Sequence, residues 1–169
     1  MYCEQPAVAC ASPLIVDPTN TVWSSGLVLG MDAGIGFPMR GWPADSDGYA
    51  GSLSCSREVS AVSGECMMIS GPLFRRLGGS IRYYSSTTFD GADLSLRATT
   101  IQHRNIVTPQ VRMRKTGPSS VSAEWPLDQS LFIDRWRDLI RQGDRFYNSH
   151  FSRSAPGYIT DGAVLGAQA

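Results

Sequence analysis

The chain has 169 residues and a mass of 18.3 kDa, a length that suits one domain and would crowd two. Hydrophobic residues make up 42% and charged residues 18%, which allows a buried core and excludes a disordered tail. Fifteen Lys+Arg balance fifteen Asp+Glu, which argues against nucleic acid as the main partner, because such domains carry a basic excess.

Lys115 is the sole lysine, so the other fourteen of the 15 cationic residues are arginines. Genome composition produces such a skew, and so does a need for bidentate anion binding. Seventeen Gly and ten Pro imply many turns rather than a helix bundle. No apolar run approaches the roughly 20 residues of a membrane span, and the first residues lack the cationic and apolar regions of a signal peptide. Cys3, Cys10, Cys55 and Cys66 show no CxxC spacing, so reduced thiols in a cytoplasmic protein are expected and zinc is not.

Along the chain, residues 7–11 and 14–16 read as one extended segment, and 21–23 with 27–29 as another. Between them Asp17-Pro18-Thr19-Asn20 has turn chemistry, which predicts a β-hairpin. Residues 30–56, scattered with Gly and Pro, keep no period of 2 or 3.6 and read as a long loop. Residues 59–69 read as a buried strand around Gly64. A short helix is expected over 72–77, with Pro at its start and Gly78-Gly79 stopping it. Residues 80–88 read as loop and 90–101 as a helix. Residues 105–108 and 111–114 read as two strands broken at Pro109, followed by a loop at Gly117-Pro118-Ser119-Ser120. A helix over 127–142 places Leu127, Leu131, Phe132, Trp136, Leu139 and Ile140 on one stripe and ends at Gly143. Residues 1–143 are thus expected to form one mixed α/β domain, with 144–169 an irregular tail.

Four groups of residues can carry chemistry. Asp45-Ser46-Asp47 is a DxD triplet, but it lies in a Gly/Pro-rich loop rather than at the end of an apolar strand, so no metal is assigned to it. Asp90 and Asp93 open the expected second helix, where a carboxylate serves either as a general base facing a cleft or as a cap on free N–H groups. Gly64 in a strand interior marks a close backbone approach, by a ligand or by another strand, and Glu65 beside it is either a wall of a site or an edge charge. Trp23, Trp42, Trp125 and Tyr49 are either sugar-stacking platforms or packing residues.

These segments resemble, in order, the acceptor-side half of family 2 glycosyltransferases. Val59-Ser60-Ala61-Val62-Ser63-Gly64-Glu65 is similar to that family's "vsAVtGa" strand, and Leu73-Phe74-Arg75-Arg76-Leu77-Gly78-Gly79 to its "vFeelGG" helix. Asp90-Gly91-Ala92-Asp93-Leu94-Ser95-Leu96-Arg97 resembles its "(E/N)DvDlclR" motif. Arg104-Asn105-Ile106-Val107-Thr108-Pro109 resembles "rnvwTP", and Asp144-Arg145-Phe146-Tyr147-Asn148 resembles "dPyYN". The resemblance implies part of a GT-A fold: a mixed sheet with flanking helices, a long mid-chain loop and a C-terminal amphipathic helix. It implies an ancestral transfer of sugar from a nucleotide-sugar to a glycan.

The departures are specific. The resemblance begins after the nucleotide-sugar-binding half. The family's expected general base falls on Gly91, and Lys115-Thr116-Gly117-Pro118 stands where the family commonly has a His. The chain alone is therefore expected not to transfer sugar and to bind no cofactor, Mg²⁺ or Mn²⁺ belonging only to a complete enzyme. Asp90 and Asp93 are the remaining candidate catalytic carboxylates, and Gly64, Glu65, Lys115 and Trp23 the candidate substrate-binding residues. Expected partners are a glycan acceptor or a donor-half glycosyltransferase subunit, with self-association through the face that half would cover. The expected location is cytoplasmic, with peripheral attachment to the inner membrane as the variant. The alternative function is non-catalytic binding of a glycan or of a partner glycosyltransferase.

Overall fold

A computed structural model of the chain describes residues 2–81, 83–116 and 126–160. The loop at 117–120, Trp125 and the end of the tail lie outside the described residues. The described residues form a mixed α/β structure with three α-helices.

The first strand, β1 (Val8–Val16), is almost wholly buried and joins β2 (Val22–Ser24) in the expected hairpin. Asp17 closes the turn. Its carboxylate accepts the N–H groups of Thr19 and Thr21, each at 2.9 Å, and their hydroxyls at 2.7 and 2.8 Å. Asn20 takes the left-handed conformation the turn requires, at φ 62°.

The second extended segment does not continue as one strand. It breaks at Gly26 (φ 96°), and β3 (Val28–Leu29) leaves the main sheet to pair with β4 (Ile35–Gly36). Residues 30–56 are more structured than a loop. They contain β4 and 3-10 turns at Met31–Ala33 and Tyr49–Gly51. Met39, Ala44 and Leu53 are buried against Leu14, Val16 and Val22 of the hairpin. Single apolar residues at the turns anchor this segment, so it has no period to detect.

The expected strand over 59–69 divides into two. The strand β5 (Arg57–Val59) is followed by a bridge from Ala61 to Leu27, a turn at Gly64-Glu65, and β6 (Met68–Ile69). Ser70 then caps α1 (Gly71–Arg76), its hydroxyl accepting the Leu73 N–H, and Gly78 and Gly79 stop the helix with φ of 82° and 67°.

The next helix, α2 (Thr87–Thr100), starts three residues before the expected position. The Ser86 hydroxyl caps it by accepting the Thr88 N–H at 3.2 Å, so Asp90 and Asp93 are not the caps. β7 (Arg104–Arg114) is a single strand. Its register against β1 jumps between Thr108 and Arg112, so the expected break at Pro109 is a bulge inside one strand. The last helix, α3 (Pro126–Gln142), ends at Gly143 (φ 87°).

The main sheet runs β2-β1-β7-β5, with β1 and β7 parallel and the other pairings antiparallel. Because Cys10 of β1 pairs with both Asn105 of β7 and Ile69 of β6, β6 lies on the edge of β1 opposite β7. One core cluster gathers Leu27, Ala61, Ala92, Leu96, Phe132 and Trp136 between α2 and α3; another sets Ala98 of α2 on Ala9, Val59 and Val107 of the sheet. The α3 stripe is only partly buried. Phe132 and Trp136 enter the core, while Leu127 stays 70% exposed.

Residues 144–160 have no helix or strand, yet they pack rather than drape. Tyr147 is buried with Phe151 and Tyr158 around it, and the Asp144 carboxylate accepts the Leu29 N–H at 2.7 Å. The four cysteines are unpaired, and no described helix is long and apolar enough to cross a membrane.

Candidate functional site

The turn at Gly64-Glu65 lies on the first turns of α2. The Gly64 N–H donates to the Thr87 carbonyl at 3.2 Å, and a Cβ on Gly64 would come 2.5 Å from that oxygen. Gly91 faces it, and a Cβ there would lie 2.2 Å from the Gly64 nitrogen. The two glycines let a turn and a helix meet backbone to backbone, so the element that approaches Gly64 is α2 and not the ligand or second strand that the sequence suggests. Position 91, where the sequence resemblance would put a general base, has no room for a side chain.

The two carboxylates near that contact have different environments. Asp90, half-buried in the first turn of α2, accepts the Ser80 hydroxyl on both oxygens, at 2.9 and 2.8 Å. Asp93 is fully buried. Its Oδ2 binds Arg97 Nε at 2.8 Å; its Oδ1 takes Arg135 Nε at 2.8 Å and the Trp136 indole N–H at 3.0 Å. Arg97 also donates to the carbonyls of Leu77 and Gly79. Asp93 is thus an anchor joining α2, α3 and the end of α1, with its oxygens committed. Asp90 is the carboxylate of the pair with side-chain surface to offer a ligand.

On the other side of the Gly64-Glu65 turn, three residues far apart in sequence come together. The Trp23 indole N–H donates to Glu65 Oε2 at 2.6 Å, and Lys115 Nζ lies 3.7 Å from Glu65 Oε1. Lys115 sits 4.3 Å from the Trp23 ring centroid, and the Arg40 guanidinium 4.1 Å from it. Arg40 also lies over Phe37 at 3.5 Å and donates to the Trp23 carbonyl at 3.1 Å. Burial pushes the Arg40 pKa down to about 10, which leaves it charged at neutral pH.

Trp23 itself is 6% exposed, so its ring is a wall held by two cations and not a free stacking face. The groups this cluster presents are the quarter-exposed Glu65 carboxylate and Lys115 ammonium, an acceptor and a donor side by side.

The DxD triplet has other partners. Asp45 pairs with Arg112 at 2.6 Å and accepts from Asn20 at 2.7 Å, while Asp47 accepts the Ser54 hydroxyl at 2.7 Å. Among the described residues no group of three or more His, Cys, Asp or Glu is placed to hold a metal ion.

Sequence reading missed Arg40, Arg135 and Ser80. Arg40 sits in a segment without periodicity, and Arg135 falls within the apolar stripe of α3, one turn from both Leu131 and Leu139. Nothing local marks either as a partner.

Over 106 residues the chain is 26% identical to an uncharacterized protein, y4gI, of Sinorhizobium fredii, a match covering 63% of this chain and 12% of that protein. The matched segment is therefore a small part of a much longer chain. No family model and no solved structure matches.

Proposed function

We propose that this chain is the acceptor-side half of a family 2 glycosyltransferase module of GT-A type, binding the glycan that receives the sugar. The observation supporting this reading is a convergence. Segments around residues 23, 64–65, 90–93 and 115, separately similar to that family or singled out by their chemistry, meet at one place through the Gly64–Gly91 contact and the Trp23–Glu65–Lys115 cluster. Glu65 accepts and Lys115 donates, a pairing suited to sugar hydroxyls. Asp90 is the one carboxylate of the (E/N)D-like motif placed near a surface.

In this reading the nucleotide-sugar and its divalent metal are held by a donor half, either another segment of the same protein or a partner. The apolar groove of about 660 Å³ over β1, β6 and β7, with Met68, Val111 and Met113 about half exposed, is where that half or a second copy of the chain would sit. A non-catalytic glycan-binding role is the second reading. It is favoured by Gly91, which leaves the expected base position empty, and by the full commitment of Asp93.

The test is titration of the chain with nucleotide-sugars, with and without Mn²⁺ or Mg²⁺, followed by hydrogen exchange with neutral oligosaccharides. The expected results are no metal-dependent nucleotide-sugar binding, and protection of residues 63–66 and 87–93 that Glu65→Gln reduces about tenfold in affinity. Metal-dependent nucleotide-sugar binding would overturn the reading.

A further inference from the structure

A cavity of about 350 Å³ opens under the aromatic cluster of the tail, and none of Trp23, Arg40, Glu65 or Lys115 lines it. Its size falls within the range of small-molecule sites, about 300–1,000 Å³. Its walls come from the turn Tyr49–Gly51, from β5 at Arg57, and from the tail at Phe146, Phe151 and Tyr158. Two of the lining residues hold a left-handed backbone without being glycine, Ala50 at φ 51° and Tyr158 at φ 56°. Such conformations cost about 1–3 kcal/mol each and cluster at ligand clamps.

Arg57 brings a charge into the wall. Its Nη2 donates to the Ser25 carbonyl at 2.6 Å and its Nε to the Ser52 carbonyl at 3.4 Å, and no carboxylate among the described residues pairs with it. Two carbonyls use two of the five N–H groups of a guanidinium, which leaves three, both of those on Nη1 included. Burial lowers the Arg57 pKa, opposed by Tyr158 and Asp144 nearby, and the guanidinium stays charged. Asp144 spends its two oxygens on the Leu29 and Phe146 N–H groups, each at 2.7 Å.

A neighbouring cavity of about 690 Å³ shares Glu58 and Phe146 as walls. Among the described residues Glu58 is the sole carboxylate lining either cavity, and Arg104 already pairs with it at 2.8 Å. Arg145 lines the larger cavity without an ion pair among the described residues. Arg57 and Arg145 therefore leave the walls positive. Flat apolar surface stands beside that charge: Tyr49, 45% exposed, stacks on Tyr158 at 4.6 Å and meets the edge of Phe151 at 5.1 Å, and Phe146 is 40% exposed.

We infer that the smaller cavity binds a small aromatic monocarboxylate, with its carboxylate on the Arg57 guanidinium and its ring against Tyr49 and Phe146. A carboxylate presents two oxygens in one plane, which a guanidinium meets with two parallel N–H groups. The ring gains aromatic contact and leaves water with the exposed rings it covers. A neutral aromatic molecule leaves the Arg57 hydrogens unpaired as it displaces their water. A phosphate dianion brings a second negative charge toward Glu58 and Asp144 and has no ring for Tyr49. The inference stands on this cavity and does not need the assignment proposed above.

Cys55 is exposed and lines the same cavity, so its alkylation by neutral iodoacetamide, read by mass spectrometry of its peptide, reports occupancy. The full chain is titrated with benzoate and phenylacetate, against benzamide, acetate and inorganic phosphate. Saturating benzoate or phenylacetate is expected to slow Cys55 labelling at least tenfold, while benzamide and acetate at the same concentration leave it unchanged. Arg57→Lys, which keeps the charge and loses the fork, and Tyr49→Ala should each weaken carboxylate binding at least tenfold. Tyr49 is exposed, so its variant keeps the fold and carries the test if Arg57→Lys does not fold. Labelling unaffected by both carboxylates overturns the inference. So does benzamide protecting as well as benzoate, phosphate protecting better than either carboxylate, or benzoate affinity unchanged in Tyr49→Ala.

Discussion

Gly64 and Gly91 touch backbone to backbone: a Cβ on Gly91 would stand 2.2 Å from the Gly64 nitrogen. Helix propensity alone favours Ala over Gly in a helix interior by about 1 kcal/mol. The contact reverses the sign, because no side-chain rotation relieves a clash with backbone. Gly91→Ala is expected to destabilise the fold, and Gly91→Asp, with a larger side chain at the same contact, to cost about 3 kcal/mol, or roughly 6–12 °C in Tm. Thermal unfolding of the two variants checks this; a Gly91→Ala protein more stable than wild type would refute the contact.

Asp93 is expected to be a structural anchor. Asp93→Asn leaves the Arg97 and Arg135 guanidiniums without their common carboxylate, and breaking a buried ion pair costs about 3–5 kcal/mol. Arg135 is 38% exposed, so adding Arg135→Gln to Asp93→Asn removes one stranded cation and recovers part of the loss. A double-mutant cycle in urea measures the coupling.

Glu65 behaves differently. The amide of Glu65→Gln still accepts from Trp23, and the ion pair to Lys115, long at 3.7 Å and partly solvated, contributes little. Glu65→Gln should cost less than about 1 kcal/mol in urea unfolding. A loss of several kcal/mol would make Glu65 a structural residue and not a ligand-facing one.

The hairpin turn has a pH signature. Hydrogen bonds from the Thr21 N–H, then from the Thr19 and Thr21 hydroxyls, lower the Asp17 pKa from 3.8 to about 2. The folded state therefore favours the ionised form. The contribution is full above pH 3.8 and fades as pH falls toward about 2. The stability difference between wild type and Asp17→Asn should be flat from neutral pH down to that window and shrink within it.

Thiol reactivity should follow burial. Cys10 is fully buried on β1, and burial raises its pKa to about 12, whereas Cys55 is exposed. With a disulfide reagent at pH 8, Cys55 should react rapidly and Cys10 only on unfolding. Rapid labelling of Cys10 in the folded protein would place β1 outside the core.

The elements readable in the sequence are those whose determinants lie within a few residues. Asp17-Pro18-Thr19-Asn20 contains both its hydrogen-bond acceptor and its left-handed residue. Ser70, Pro72 and Gly78-Gly79 bound α1, and Gly143 ends α3. The strand expected over 59–69 failed for the opposite reason. Its apolar run is buried over 59–63 and only partly buried beyond, and whether it continues or turns at Gly64 depends on α2, which comes later in the chain. The expected start of α2 falls late because the apolar period begins after the Ser86 cap.

The candidate site divides the same way. By itself the sequence determined which residues have useful chemistry: Trp23, Gly64, Glu65, Asp90, Asp93 and Lys115. Only the tertiary structure decided what each one does. It buried Asp93 under Arg97 and Arg135, turned Trp23 into a wall against Arg40, left Glu65 and Lys115 at the surface, and closed Gly91 to any side chain. Turn and cap hydrogen bonds are short-range and leave a local signature. An ion pair such as Asp93 with Arg135, or a contact such as Gly64 with Gly91, forms between residues dozens of positions apart, and its geometry exists only once the sheet and helices have packed.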